Sequence, residues 1–187
     1  MAVKKTTGEV IKKMVYINRR LSRASRSLLR VWADWLFSYY IRSLYKRCYT
    51  CGSKRNLQCG HFVSRVYLLG RYDEDNVRAQ CVRCNVFKVG NKEVFSLNLV
   101  TEYGERRFCE MVRRIVYGKS PRDLRAFYVQ VINRYTDKVL SLLGDRAKKR
   151  FLRLSELSKK TGKVNRESKQ EKQRKVNKRG RVKDGKV

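Results

Sequence analysis

The chain has 187 residues, with 47 lysines and arginines against 16 aspartates and glutamates, and a formal net charge of +31. A polyanionic partner best accounts for this excess, because lysine and arginine displace counterions from a phosphate backbone. The rival, an anionic membrane, is disfavoured because no apolar run is long enough to span a bilayer and no signal peptide is apparent. We therefore expect a soluble intracellular protein with no membrane partner and no small-molecule substrate.

The first segment, residues 1–46, is predicted to be a basic helical arm. From residue 9 to residue 46 apolar side chains recur at spacings of three and four, which predicts a helix that is broken at most once. The opposite face carries arginine and lysine with few acids, so it is either a solvated helix face or a surface that follows phosphates. The candidate phosphate contacts on it are Arg19, Arg23 and Arg26.

The second segment, residues 47–104, is predicted to be the core that carries the chemistry. Its first part is rich in cysteine, glycine and asparagine and has no helical period, which favours short strands near 59–63 and 77–80. A helix is expected to follow at 92–103.

Two Cys-x-x-Cys pairs, Cys48 with Cys51 and Cys81 with Cys84, are the strongest chemical signal in this core. Zinc binds four tetrahedral ligands, and each Cys-x-x-Cys turn places two thiolates on one edge of the tetrahedron. We therefore expect one structural zinc ion (Zn²⁺) held by these four cysteines. A closed site of this kind has no open position, so we do not expect this zinc to be catalytic.

The remaining cysteines, Cys59 and Cys109, are interpreted as buried side chains. Cys59 stands close to His61, which raises the alternative of a Cys-His zinc pair, but the other four cysteines already satisfy one ion. Cys109 falls on an amphipathic helical pattern and is expected in the core.

The third segment, residues 105–158, is predicted to be a helical support region. Helices are expected at 105–117, from Ser120 to Leu143, and at 146–157, with Ser120 as the N-cap of the second. The apolar stripe of that second helix predicts that it packs on the N-terminal helix.

The last segment, residues 159–187, is predicted to be a disordered basic tail. Its composition collapses to lysine, arginine and small polar residues, so it cannot bury enough apolar surface to fold alone. It is either an arm that becomes ordered on nucleic acid or a tail that only solubilises the protein.

The motifs of the core resemble a known family. In order they are Cys-x-x-Cys-Gly, Gly-His, Asp-Glu-x-Asn and Gln-Cys-x-x-Cys-Asn-x-x-Lys-x-Gly-Asn. This order resembles the HNH-type, or ββα-metal, endonucleases, and within them it is most similar to the NinG (Rap) recombination endonucleases of lambdoid phages. The resemblance runs from about Trp32 to Gly104. Endonuclease VII of T-even phages shares the four cysteines and the asparagine after the last one, as a more distant relative in pattern.

The resemblance implies a role for each matching residue. The four paired cysteines match the zinc ligands. His61, the only histidine in the protein, matches the residue that activates water for attack on the scissile phosphate and is also a candidate ligand of the catalytic ion. Asn85 matches a ligand of that ion, Mg²⁺ or Mn²⁺, and Asn76 matches the central asparagine that ties the loop to the strands. Histidine and a hard cation suit phosphodiester hydrolysis.

Two departures from the family pattern bear on the site. Many HNH enzymes place an acid or histidine just before the catalytic histidine, where this chain has Gly60. The second protein ligand is therefore open, with Asp73 the candidate among the nearby acids Asp73, Glu74 and Asp75. Arg78 stands where NinG-like sequences tend to have a histidine, and this arginine suits phosphate contact. The candidate nucleic-acid contacts of the core are Arg65, Arg71, Arg78, Arg83 and Lys88.

These observations predict an α+β protein with a zinc-braced ββα core among long basic helices. The expected activity is metal-dependent cleavage of branched or recombining DNA, such as Holliday junctions, flaps or D-loops. Two alternatives stay open: a non-catalytic zinc protein that binds DNA or RNA, and a sequence-specific homing or restriction nuclease. Dimerisation is plausible for an enzyme that cuts two strands. The resemblance also implies a phage protein in the cytoplasm of an infected bacterial host.

Overall fold

A computed structural model describes residues 6–157 of the chain. This part is mostly helical and has a small two-stranded antiparallel sheet, so the predicted α+β class is confirmed. Within these residues no helix is both long enough and apolar enough to cross a membrane. The predicted tail, residues 159–187, lies outside the described residues.

The elements follow one another along the chain with short connections. The helices are α1 (Thr7–Arg20), α2 (Arg26–Leu44), α3 (Leu68–Arg71), α4 (Lys92–Tyr103), α5 (Glu105–Tyr117) and α6 (Leu124–Leu143), followed by α7, the helical residues 145–157. The strands are β1 (Leu57–His61) and β2 (Val77–Cys81), and a one-turn π-helix, Arg83–Phe87, follows β2.

The N-terminal helix is interrupted once, as its sequence predicts. α1 starts with a capping box, in which the side chain of Thr6 caps the backbone of Glu9 and the side chain of Glu9 caps that of Thr6. A short 3₁₀ turn follows α1, and Ser25 then caps α2 by accepting a hydrogen bond from the Leu28 backbone amide at 3.3 Å. The 3₁₀ turn and the Ser25 cap therefore divide one apolar stripe into two helices.

The main core forms where α6 packs along α2, which confirms the predicted packing of these two helices. Phe37 and Tyr135 meet edge to face with ring centroids 4.8 Å apart, beside the fully buried Leu36. The predicted start of α6 is wrong: Asp123, not Ser120, is the N-cap, and its carboxylate accepts a hydrogen bond from the Ala126 amide at 3.0 Å.

A second apolar cluster lies between α4 and α5. Its buried members are Phe95 and Leu99 from α4 with Met111 and Ile115 from α5, and Phe62 from the loop after β1 packs against them. Cys109 is exposed, so the expectation that it belongs to the core is wrong. The apolar side of α5 is used by Met111 and Ile115, and Cys109 falls on its outer side.

Truncation of the main core should destabilise the protein. Leu36→Ala removes a side chain with no exposed surface, so we expect the free energy of unfolding to fall by about 2–5 kcal/mol. Urea denaturation followed by circular dichroism measures it. The control, Val31→Ala, is on the same helix but 55% exposed, and an equal loss in the control would contradict this account of the core.

Candidate functional site

The hairpin of β1 and β2 brings distant parts of the sequence together. The strands pair antiparallel with Leu57 opposite Cys81 and His61 opposite Val77. The backbone amide of Tyr49 also donates to the carbonyl of Ala79 at 2.8 Å, which places the first cysteine pair beside β2. The hairpin thus has the cysteines at one end and the histidine at the other.

Cys48, Cys51, Cys81 and Cys84 form a cluster that could bind a metal ion such as zinc. Their four sulfur atoms all lie within 4.8 Å of one another, and the Sγ atoms of Cys51 and Cys81 are 3.6 Å apart. Tetrahedral zinc with Zn–S bonds of about 2.3 Å needs sulfur atoms roughly 3.8 Å apart, so the cluster fits zinc. Three of the thiols are buried and that of Cys51 is exposed.

The first cysteine pair lies on a tight turn. The carbonyl of Cys48 accepts a hydrogen bond from the Gly52 amide at 2.8 Å, and the Cys48 amide donates to the carbonyl of Ser53 at 2.7 Å. Gly52 has φ = 71°, in the left-handed region that glycine adopts without a steric penalty. Cys59 lies outside the cluster, and burial raises the pKa of its thiol to about 12, so it stays protonated.

A cleft of about 470 Å³ opens between α2 and the hairpin. It brings together four of the residues that the sequence singles out, His61, Asn85, Arg65 and Arg71, with Cys59 beside them. The other candidate site residues do not line it. The side chains of the cleft that sequence reasoning missed include Asp34, Arg42 and Gln58.

His61 is held with one ring nitrogen occupied. Its Nε2 lies 3.0 Å from the carbonyl oxygen of Arg71. Because a carbonyl can only accept, Nε2 carries the proton and Nδ1 holds the free lone pair. Burial and the nearby charges of Arg71 and Arg65 lower the pKa of the ring, so it is neutral at neutral pH.

Asn85 reaches the same cleft from the π-helix. Its Nδ2 donates to Oε1 of Gln58, on β1, at 2.7 Å. The amide orientation is therefore set from the strand, and no hydrogen bond from another described residue reaches Oδ1. An oxygen oriented in this way is a suitable ligand for a hard cation.

Asn76 is fully buried, and its side chain forms hydrogen bonds with backbone groups. Its Oδ1 accepts from the Val63 amide at 2.7 Å, and its Nδ2 donates to the carbonyls of Val63 at 3.0 Å and Gly70 at 2.8 Å. These bonds tie the loop between the strands to the start of β2. Asn76 therefore lies behind the cleft and not in it.

Asp34 is the carboxylate of the cleft. It binds Arg71 through both oxygens, with Nε and Nη2 of the arginine at 2.8 and 2.6 Å, and it accepts from the Tyr72 hydroxyl at 2.8 Å. The hydrogen bonds to Asp34 raise the pKa of Arg71. The ion pair with Asp34 fixes the position of Arg71, whose backbone carbonyl accepts the hydrogen bond from His61. Because the guanidinium of Arg71 is occupied by Asp34, the expected contact of Arg71 with phosphate is not supported. A sequence signal existed, because Asp34 is the sole acid between Glu9 and Asp73.

The acidic turn after α3, residues 73–75, does not line the cleft. Asp73 pairs with Arg114 at 2.8 Å, Glu74 pairs with Lys138, and Asp75 pairs with Arg107 at 3.1 Å. These partners lie on α5 and α6, so the turn joins the hairpin to both helices. The structure therefore gives no support to the interpretation of Asp73 as a ligand of the catalytic ion.

Arg78 is a buried structural residue, which corrects its interpretation as a phosphate contact. Its exposed fraction is 1%. It forms an ion pair with Glu102 at 2.7 Å and contacts the rings of Tyr45, Tyr49 and Tyr103. A guanidinium enclosed in this way has no surface to offer a phosphate.

Gly60, which stands where many HNH enzymes have an acid or a histidine, leaves little room for a side chain. A Cβ at this position would lie 2.2 Å from Oε1 of Gln80, which is itself fully buried. Gln80 donates to the carbonyl of Gly90 at 2.7 Å, so it cannot simply move aside. A side chain at position 60 would collide with Gln80, which supports the segment that follows Asn85.

The other candidate cations are exposed but spread over the surface. Arg65 lies at the cleft, and Arg83 and Lys88 lie on the segment around Asn85. Arg19, Arg23 and Arg26 are exposed around the corner between α1 and α2. Arg26 is eight positions before Asp34, about 12 Å along the helix.

Comparison with known proteins places the chain in a family. The family model for the bacteriophage lambda NinG protein matches residues 4–139, well over half of the chain. The chain belongs to the NinG family. The match takes in both cysteine pairs and the whole cleft, and membership suggests a phage recombination-related role. No curated protein and no solved structure matches the chain.

Zinc should be bound and should hold the NinG-family core together. Cys81→Ser removes one ligand from the cluster, so we expect loss of the metal and a fall in Tm of about 10 °C or more. Atomic absorption gives the zinc content, and thermal denaturation gives Tm. The control is Cys109→Ser, at an exposed thiol outside the cluster. Full zinc content in Cys81→Ser would contradict the site.

His61 should titrate below its ordinary value of about 6.5, because burial disfavours the charged ring. As the single histidine, it gives one set of imidazole proton signals in NMR, with the urea-unfolded chain as the reference. Since its pKa is lowered by folding, its stabilising contribution is present above the unfolded value and is lost as the pH falls through the folded one. A folded pKa at or above the unfolded one would refute this.

Proposed function

We propose that this chain is a metal-dependent DNA endonuclease of the HNH type, which hydrolyses phosphodiester bonds in branched or recombining DNA. The observation that carries the proposal is the convergence of His61 and Asn85 on one cleft beside the cysteine cluster. The order of β1, β2 and the short helix that carries Asn85 supports a ββα core. Membership of the NinG family supports the recombination substrate.

His61 is the general base of the proposed reaction. Its Nε2 proton is committed to the Arg71 carbonyl, so Nδ1 takes the proton from the attacking water. The lowered pKa keeps the ring unprotonated at neutral pH, as a base requires. Because Nδ1 holds the single free lone pair, His61 cannot be both base and metal ligand, and we assign it the first role.

Asn85 would hold the catalytic ion, Mg²⁺ or Mn²⁺, through its Oδ1. Mg²⁺ keeps several waters and needs few protein ligands, which suits an open cleft. Among the described residues, the four cysteines are the one group of three or more His, Cys, Asp or Glu side chains placed to hold a metal. The remaining ligands would therefore be water and phosphate oxygens. When bound, the ion would neutralise charge that develops on the phosphate.

The surroundings of the cleft suit a phosphate backbone. Arg42 and Arg65 are exposed at its edge, and the net charge of +31 favours DNA over any neutral partner. Arg71 also lines the cleft, but its charge is neutralised by Asp34. We assign Arg42 and Arg65 to the strand that is cut, and Arg83 and Lys88 to the DNA next to it.

Loss of the base should slow cutting strongly. We expect His61→Ala to slow the cleavage of branched DNA by about 10²–10⁴-fold, since it removes proton transfer, and Asn85→Ala to weaken the dependence on Mg²⁺. A labelled four-way junction, flap, single strand and plain duplex are incubated with Mg²⁺, with Mn²⁺ and with neither. The ion is omitted in preference to adding a chelator, because a chelator would also remove zinc from the cysteine cluster.

The matched control for the asparagine is Asn133→Ala, at an exposed position on α6. Zinc content must be equal in all variants. Cutting by His61→Ala at the wild-type rate would refute the mechanism. Binding without cutting under every condition would favour a non-catalytic nucleic-acid clamp, and cutting at one duplex sequence regardless of branching would favour a sequence-specific nuclease.

A further inference from the structure

An exposed apolar segment follows directly after Asn85. We call residues 86–89 the apolar tip. Val86 is 52% exposed, Phe87 78% and Val89 79%, and the remaining residue, Lys88, is also exposed. Three large exposed apolar side chains within four residues are unusual on a protein surface. Contiguous exposed apolar groups of this kind mark sites of interaction.

The backbone is strained at Val89, the last residue of the tip. Val89, Gly90 and Asn91 have φ values of 48°, 87° and 46°. Valine is rarely found in this left-handed region because its branched Cβ clashes with the backbone. Strain of this kind persists only where the surrounding structure imposes it, and it is concentrated at functional sites.

The surrounding structure imposes it here. The amides of Lys88 and Val89 donate to the carbonyls of Arg83 and Val86 at 2.9 and 3.1 Å, and the Gly90 amide donates to the carbonyl of Cys84 at 3.0 Å. The tip is therefore anchored on a cysteine of the metal cluster. The backbone that carries these side chains is thereby held in place before a ligand binds, which lowers the entropic cost of binding.

The position and the charges of the tip indicate its partner. Phe87 is two residues from Asn85, which lines the cleft. The stretch from residue 82 to residue 92 contains Arg83, Lys88 and Lys92 and no acid. Lys92 donates to the carbonyl of His61 at 2.6 Å, so Arg83 and Lys88 are the cations that remain for a ligand. An apolar group between two cations matches the base and phosphates of a nucleotide.

We infer that the apolar tip is a wedge that stacks Phe87 on an unstacked base at a DNA branch point. The inference rests on the proposed function in one respect, that the substrate is DNA. Inside a continuous duplex both faces of each base are covered by its neighbours, whereas a branch interrupts the stack and leaves a face open to an aromatic ring. Arg83 and Lys88 bind the flanking phosphates. The cleft performs the chemistry, and the tip selects the branched structure.

The test measures binding apart from cutting. In a His61→Ala background, the Kd is measured by fluorescence anisotropy for a four-way junction and for a duplex of the same sequence. We expect Phe87→Ala to weaken junction binding about tenfold or more, since an aromatic ring that stacks on a base contributes that much, and to leave duplex binding within about twofold. The control is Tyr117→Ala, at an aromatic side chain of similar exposure, 82%, on α5.

A second variant distinguishes the loss of the contact with DNA from a loss of folding stability. Asparagine adopts the left-handed region more readily than valine, so we expect Val89→Asn to raise Tm while it still weakens junction binding. Unchanged junction affinity in Phe87→Ala would overturn the inference, as would an equal loss on junction and duplex. A change of oligomeric state in Phe87→Ala with unchanged junction affinity would reassign the tip to self-association. The nuclease proposal is judged by cutting with His61 intact, so the two can fail separately.

Discussion

The pairing of β1 with β2 is the constraint on which the rest of the structure depends. This register places Cys81 opposite Leu57 and His61 opposite Val77. One end of the hairpin therefore joins the two cysteine pairs, and the other end holds the histidine. A sheet of two strands is marginal by itself. A metal ion on the four cysteines would stabilise one end of it, and the packing of α2 on its face supports the other.

The polar groups around the hairpin divide into those that hold it and those that face solvent. Asn76, Arg78 and the Asp34–Arg71 pair are committed to internal hydrogen bonds and ion pairs. Leaving any of them unpaired in the interior would cost more than the bond itself contributes. The cations that remain for a polyanion are those with exposed side chains, such as Arg42, Arg65 and Arg83. Some arginines of this basic chain therefore stabilise its own fold and are not available to a ligand.

The cleft and the apolar tip share one short segment of backbone. The π-helix carries Cys84 and Asn85, and the tip begins at its end. Displacement of this segment would therefore disturb the cysteine cluster, Asn85 and the apolar tip together. Gln80 supports the same segment through a hydrogen bond to the Gly90 carbonyl, and it leaves little room for a side chain at position 60. These contacts account for the glycine that precedes His61.

The sequence by itself determined the helices, the hairpin, the four cysteines and the pair His61 and Asn85, because each depends on local periodicity, on a fixed ligand spacing or on a motif. Only the tertiary structure decided which charged residues are available. The sequence suggests Arg78 and Asp73 as site residues. In the structure Arg78 forms an ion pair with Glu102 and Asp73 forms one with Arg114, and each partner is 24 or more positions away in the chain. Asp34 enters the cleft by the same long-range packing. An ion pair depends on distance in space, and the order of residues does not contain that distance.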